Sequence, residues 1–360
     1  MKIAQIAPLI ESVPPKLYGG TERVVSYLTE ELVRLGHEVT LFASGDSVTS
    51  AELVACASTA LRLAPSMSDP LPHNIIMLEQ VRRRASAFDI LHFHTDYLHF
   101  PLFRNSGIAT VTTLHGRLDL PDLAPLYREF DDVPVVSVSH HQRMPLPWAN
   151  WVANVWHGLP RDLYPLSAAP RGEYLAFLGR ICPEKRPDRA VEIARRAGMP
   201  LRIAAKVDRA DEAYFAKRIK PLLGLPGIEY IGEIGEHEKA AFLGDAVALV
   251  FPIDWPEPFG LTIIEAMACG IPVIAWRRGS VPEIVENGVT GFIVDRIEHA
   301  VAAVEKVRYL DRARIRSRFE ERFSAARMAA DYLVVYDSLR ASPSGWSPAP
   351  VGDHADAASA

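Results

Sequence analysis

Cysteine is scarce in this chain, with 3 in 360 residues, and Cys56, Cys182 and Cys269 are far apart and odd in number. That pattern excludes a disulfide framework or a cysteine-based metal site and suits a reduced, cytoplasmic compartment. Also absent is any apolar run long enough to span a bilayer. Met1 to Ile10 carry one lysine and a short apolar run ending at Pro8, with no small-residue cleavage site, so they read as a first strand and not a secretion signal. A basic surplus is missing too: 39 Lys and Arg stand against 44 Asp and Glu, a net charge of -5. Nucleic-acid binders need the opposite balance to displace counterions from phosphate, so no nucleic-acid partner is expected. Residues 1–160 hold 12 Lys and Arg against 16 Asp and Glu, which leaves at most weak peripheral contact with an anionic membrane. The one sharp basic run, Arg82 to Arg84, reads as a solvated helix face. No Gly-x-Gly-x-x-Gly follows the first strand of either half, which argues against a nicotinamide dehydrogenase.

What is present is an alternation of short apolar runs and helical stretches. At 360 residues, 49% of them hydrophobic and 23% charged, the chain is an ordinary globular protein with room for two cores. Lys2 to Ala7 reads as a strand. Thr21 to Leu35 follows with apolar residues at helical spacing, stopped by Gly36, and Val39 to Ala43 is the next strand. Further strands are expected at Ile90 to Phe93, Ala109 to Leu114, Val133 to Val138 and Trp151 to Trp156. After a linker-like stretch from Leu159 to Gly172 with three prolines, a second series begins. Its strands are expected at Tyr174 to Leu178, Leu201 to Ala205, Ile228 to Ile231, Ala248 to Phe251, Pro272 to Ala275 and Phe292 to Val294. The fold class is therefore α/β, with two Rossmann-like, doubly wound parallel-sheet domains at 1–160 and 161–323. A helix at 324–340 packs back on the first domain in this reading, and 341–360 is too poor in apolar residues to fold.

Ligands of such sheets sit beyond the carboxyl ends of the strands, so the residues there carry the chemistry. Glu257-Pro258-Phe259-Gly260-Leu261-Thr262-Ile263-Ile264-Glu265 follows one strand and opens a helix. Gly260 lets backbone approach a ligand, and the helix start offers free N–H groups to an anion. Glu265 can grip a vicinal diol and Glu257 a sugar; the same residues also suit an ordinary helix start with acids favouring the dipole. Arg180 and Lys185, in Gly179-Arg180-Ile181-Cys182-Pro183-Glu184-Lys185, suit a diphosphate, or are two surface cations beside a helix. Lys206 stands just after its strand and either reaches phosphate or is solvated. Gly19-Gly20 precedes the first helix and Glu22 lies in that helix's first turn. His115 ends a strand, as a structural residue or a site residue. His92, His94, Asp96 and His99 raise a metal reading, since imidazole and carboxylate are usual ligands.

The Glu257 to Glu265 stretch resembles the glutamate, seven residues, glutamate motif of retaining GT-B glycosyltransferases of family four, the glycosyl transferases group 1. The resemblance continues through Ala266-Met267-Ala268-Cys269-Gly270-Ile271-Pro272-Val273-Ile274-Ala275, Gly279-Ser280-Val281-Pro282-Glu283 and Gly288-Val289-Thr290-Gly291-Phe292. It covers about residues 1–340, closely in the second half and loosely in the first. The resemblance implies a GT-B fold with two domains facing a cleft, and a sugar moved from a nucleotide-diphosphate donor to a saccharide or glycoconjugate acceptor. Its implied donor site comprises Gly19, Gly20, Arg180, Lys185, Lys206, Glu257, Phe259, Gly260, Leu261, Thr262 and Glu265. His115, Glu257, Arg180 and Lys185 would act in catalysis, and the nucleobase would lie near Tyr230 to Gly235. No metal cofactor is implied, because the family carries histidines near His92 and His94 without one. One departure stands out: the family often has glycine after the lysine, where this chain has Arg186 and Pro187. A sugar phosphorylase, a nucleotide-sugar epimerase or a non-catalytic binding module would reuse many of these contacts.

Overall fold

A computed structural model of the chain describes residues 1–64, 68–167 and 173–341. The expected unfolded tail therefore lies outside the described residues except for Ala341, which ends a helix, as does the end of the expected linker at 168–172. The first sheet contains β1 (Lys2–Ile6), β2 (Glu38–Ser44), β3 (Glu52–Ala57), β4 (Ile90–Phe93), β5 (Thr110–Thr113), β6 (Val135–Ser137) and β7 (Trp151–Asn154). They lie in the order β3-β2-β1-β4-β5-β6-β7, all parallel. The second sheet contains β8 (Leu175–Arg180), β9 (Leu201–Lys206), β10 (Ile228–Gly232), β11 (Ala248–Phe251), β12 (Val273–Trp276) and β13 (Gly291–Val294). Its order, β10-β9-β8-β11-β12-β13, is again parallel throughout.

Helices cover both faces of each sheet, so the central strands are buried on both sides and read as continuous apolar runs, such as Ala-Leu-Val-Phe in β11 and Val-Ile-Ala-Trp in β12. The edge strand β3 was not expected. Glu-Leu-Val-Ala-Cys-Ala carries an apolar run of its own, but the strand lies half-exposed at the edge of the sheet, with Cys56 its one buried residue. Arg82 and Arg83 pair with Glu79, and Arg84 with Glu52 of β3, so the basic run is largely neutralised on the surface of the Leu71–Arg84 helix.

In both sheets strand order reverses at one point, between β1 and β4 and between β8 and β11. A crevice opens there beyond the carboxyl ends. Residues 7–19, 94–99, 181–186 and 252–260 leave the sheets at these two places. The chain crosses between the sheets twice, side by side. Leu159 N–H donates to Phe323 O at 2.9 Å, and Ala325 N–H donates to Leu159 O at 2.8 Å. Gly158 is required at this crossing, since a Cβ would lie 2.3 Å from Ser324 O. The Ala325–Ala341 helix then returns to the first sheet, where Tyr332 and Tyr336 are fully enclosed. Among the described residues, no helix is long and apolar enough to cross a membrane. The three cysteines are free and buried.

Candidate active site

One cavity of about 400 Å³ lies between the two sheets, and it is lined by His115, Gly19, Gly20, Arg180, Lys185, Lys206, Glu257, Phe259, Gly260, Leu261, Thr262 and Glu265. Every residue singled out for the donor site or for catalysis is thus on one wall or the other. The β8–β9 register sets Arg180 beside Lys206, and Asp208 bridges them, at 3.4 Å from Arg180 Nη1 and 2.8 Å from Lys206 Nζ. Arg180 Nε is buried and has no hydrogen-bond partner among the described residues, which leaves a guanidinium N–H for a ligand to satisfy.

Gly260 caps the Leu261–Ala268 helix with φ +86°, a left-handed conformation that favours glycine. That turn brings the first amides of the helix to the cavity, an arrangement that suits an anion. Four residues into the helix, Glu265 is 2% exposed; Oε1 takes a hydrogen bond from Lys239 Nζ at 2.8 Å, and Oε2 has no partner among the described residues. Lys239 also lies 3.6 Å from Glu236, which forms a close ion pair with Arg23 of the first half.

Lys185 sits in a close ion pair with Glu257 and within 5.4 Å of the Phe251 and Trp255 ring centroids. Trp255 Nε1–H donates to the same Glu257 oxygen at 2.8 Å. Arg186, at the position the family often gives to glycine, takes the left-handed conformation itself, with φ +53°. Its guanidinium bonds Asp188 and Asp254, and Pro187 occupies the first turn of the Pro187–Arg196 helix. The turn survives the loss of glycine, and Lys185 still faces the cavity.

Across the cleft, a Cβ on Gly20 would lie 3.4 Å from Leu261, so the glycine loop abuts the start of the Leu261–Ala268 helix. Tyr18 N–H reaches Glu233 at 3.2 Å, and Lys206 lies 5.1 Å over the Tyr18 ring. Glu22 also lines the cavity, and burial raises its carboxyl above the usual range. His115 keeps a partly exposed edge, yet desolvation pushes its imidazole down to about 3, so it is neutral at physiological pH. Its ring stacks on His157 at 5.2 Å, and His157 meets the Phe259 ring edge-on at 4.8 Å.

The histidine string is consumed by internal bonds. His92 contacts Tyr336 and Thr113, His94 contacts Gln5 and His115, and His99 contacts Thr112. Among the described residues, no group of three or more His, Cys, Asp or Glu is arranged to hold a metal. Tyr230 uses its hydroxyl on Ala205 O at 2.8 Å, and within the expected nucleobase segment it is Glu233 and Ile234 that face the cavity. Lining residues missed from sequence include Glu11, Arg23, Arg62, His157, Lys239 and Trp255. A signal existed for two of them: His157 follows β7, and Trp255 lies between β11 and Glu257.

Comparison with known proteins places this geometry. Residues 166–323 match the model of the glycosyl transferases group 1, and residues 18–161 match that of Glycosyltransferase Family 4. A sucrose synthase of Acidithiobacillus caldus is 44% identical over 73 residues, 20% of this chain and 9% of that protein. A D-inositol 3-phosphate glycosyltransferase of a Mycobacterium species is 34% identical over 143 residues, 36% of this chain and 30% of that protein. The chain thus spans less than a third of the length of either relative. A sucrose-phosphate synthase structure from Thermosynechococcus elongatus superposes with a TM-score of 0.75 at 18% identity, covering 95% of this chain and 100% of that one, which is a likeness of fold. With one model on each half of the chain, two doubly wound sheets around a shared cleft and the Glu257 to Glu265 motif on the cleft wall, the protein belongs to the glycosyl transferases group 1 family and has the GT-B fold.

Proposed function

We infer that this protein moves a sugar from a nucleoside-diphosphate donor to a hydroxyl of a saccharide or glycoconjugate acceptor, with retention at the anomeric carbon and without a metal cofactor. The observation that carries this reading is the set of unsatisfied polar groups around one cavity. A buried Glu265 oxygen suits a ribose hydroxyl, while Arg180 Nε–H and the amides after Gly260 suit phosphate oxygens. As the bond from the anomeric carbon to phosphate breaks, negative charge gathers on the diphosphate, where Arg180, Lys185 and the helix start offset it. Preorganised cations and dipoles of this kind act most strongly in a water-poor cleft. The sugar becomes cationic beside Glu257, and neutral His115 is available to its hydroxyls. Three buried thiols suit a reduced cytoplasm.

A panel of nucleotide sugars screened for thermal stabilisation identifies the donor, because a ligand bound only by the folded state raises the melting temperature. Incubation of that donor with candidate acceptors, followed by proton NMR of the product, should show sugar transfer with the donor's anomeric configuration. Donor epimerisation or phosphorolysis without transfer, inverted product, or binding with no turnover on any acceptor would each refute the reading.

A further inference from the structure

An unbroken line of polar side chains runs from the cavity into the core of the first sheet. His115 Nε2 lies 2.9 Å from His94 Nδ1, and His94 Nε2–H donates to Gln5 Oε1 at 2.8 Å. Gln5 Nε2–H donates to the Tyr336 hydroxyl at 3.1 Å, which lies 2.7 Å from His92 Nδ1. His92 Nε2 lies 2.7 Å from Thr113 Oγ1, itself 2.8 Å from the Tyr332 hydroxyl. Gln5, His92, His94, Thr113 and Tyr336 are all buried. Topology assembles the line: Gln5 of β1 is the register partner of His92 on β4, and the tyrosines arrive on the returning Ala325–Ala341 helix.

A neutral imidazole has one donor nitrogen and one acceptor nitrogen, and what the first does fixes the second. The Gln5 oxygen can only accept, so His94 carries its proton on Nε2 and its Nδ1 is the acceptor. His115 must then donate from Nε2, which leaves a lone pair on its Nδ1. That atom is buried without a partner among the described residues, in a side chain that lines the cavity. The other end of the line agrees. Gln5 donates to Tyr336, Tyr336 to His92 Nδ1, and His92 from Nε2 to Thr113. A Gln5 amide turned end for end would reverse each of these bonds and move the His115 proton to Nδ1. The direction of one buried amide therefore decides whether Nδ1 of this cavity-lining side chain is a donor or an acceptor.

We propose that Gln5 and His94 are positioning residues that hold His115 in the Nε2–H tautomer, so that its Nδ1 accepts a hydrogen bond from a hydroxyl of the transferred sugar. The proposal rests on the glycosyltransferase reading for the identity of that ligand, while the tautomer belongs to the free protein. Nitrogen-15 NMR of histidine-labelled full-length protein reads it directly: His115 should show a protonated Nε2 and an unprotonated Nδ1. Gln5→Glu keeps an acceptor facing His94 and should preserve that signature. Gln5→Leu should abolish the preference and lower kcat by about 10-fold with little change in donor KM, the size of one hydrogen bond. Binding of the donor found by thermal screening should shift the Nδ1 resonance. A proton on Nδ1 in the wild type, or a Gln5→Leu protein with an unchanged tautomer, overturns the assignment without any variant needing to turn over. A bound donor that leaves Nδ1 unmoved overturns the sugar contact. Failure of every nucleotide sugar to bind would instead sink the proposed function, with the free-protein spectrum still deciding Gln5.

Discussion

Acidification should unfold the first domain well before it strips the surface carboxylates of their charge. Five imidazoles, His92, His94, His99, His115 and His157, are enclosed in or beside the first sheet. Burial pushes His99 and His115 down to about 3 and holds the other three well below the ordinary value of 6.5. In the unfolded chain all five titrate near their ordinary value. Between about pH 6.5 and 3, then, the unfolded state binds protons that the folded state refuses, and stability falls as pH falls through that window. At pH 5 each imidazole contributes about 2 kcal/mol to unfolding, however far below 5 its folded value lies, because the cost is set by the unfolded group at about 1.4 kcal/mol per pH unit. Five together reach about 10 kcal/mol, the size of a whole domain's stability. Burial raises the Glu11, Glu22 and Asp96 carboxyls, which acts in the opposite sense and reduces the net loss. Urea titrations followed by fluorescence from pH 7.5 to 5 should show the first-domain midpoint dropping steeply, with His99→Gln lowering the slope by about one proton. A midpoint that does not move between pH 7 and 5 refutes the neutral, enclosed state of this cluster.

Arg180→Ala and Lys185→Ala should each lower kcat/KM by about 10² or more, measured from initial rates, and an Arg180→Ala protein with wild-type turnover would show the diphosphate site to be misplaced. Glu265→Gln should raise donor KM with a smaller change in kcat, since the ribose is remote from the breaking bond, whereas Glu257→Gln should chiefly depress kcat; parallel defects in both would contradict this division. Arg186→Gly relieves a left-handed residue while removing its bonds to Asp188 and Asp254, so its stability should stay within about 1 kcal/mol of wild type, while Arg186→Val should lose about 1–2 kcal/mol; loss of donor binding in the glycine variant would contradict the account of that turn. Enzyme treated with EDTA should keep most of its activity, and full loss restored by Mn²⁺ or Mg²⁺ would overturn the metal-free mechanism.

Most strands and the Glu257 to Glu265 motif were legible in the sequence because the signals that carry them are local. Strands such as β11 and β12 are enclosed on both faces, so their burial is written as an uninterrupted apolar run; β3 carries such a run from Leu53 to Ala57 yet lies half-exposed at an edge, so strand position in the sheet is not written in the run itself. The spacing from Glu257 through Gly260 to Glu265 is contained in one loop and one helix, so the chemistry of that wall can be read along the chain. Tertiary structure alone decided which groups meet across it. Lys185 finds Glu257 across 72 residues, Glu265 finds Lys239 across 26, and Gln5 finds Tyr336 across 331. Strand ends can be located one at a time from their own residues. Which ends become neighbours depends on strand order and on a helix that crosses back to the first sheet. The partner of each buried polar group, and with it the proton positions at His115, therefore exists only once the chain has closed on itself.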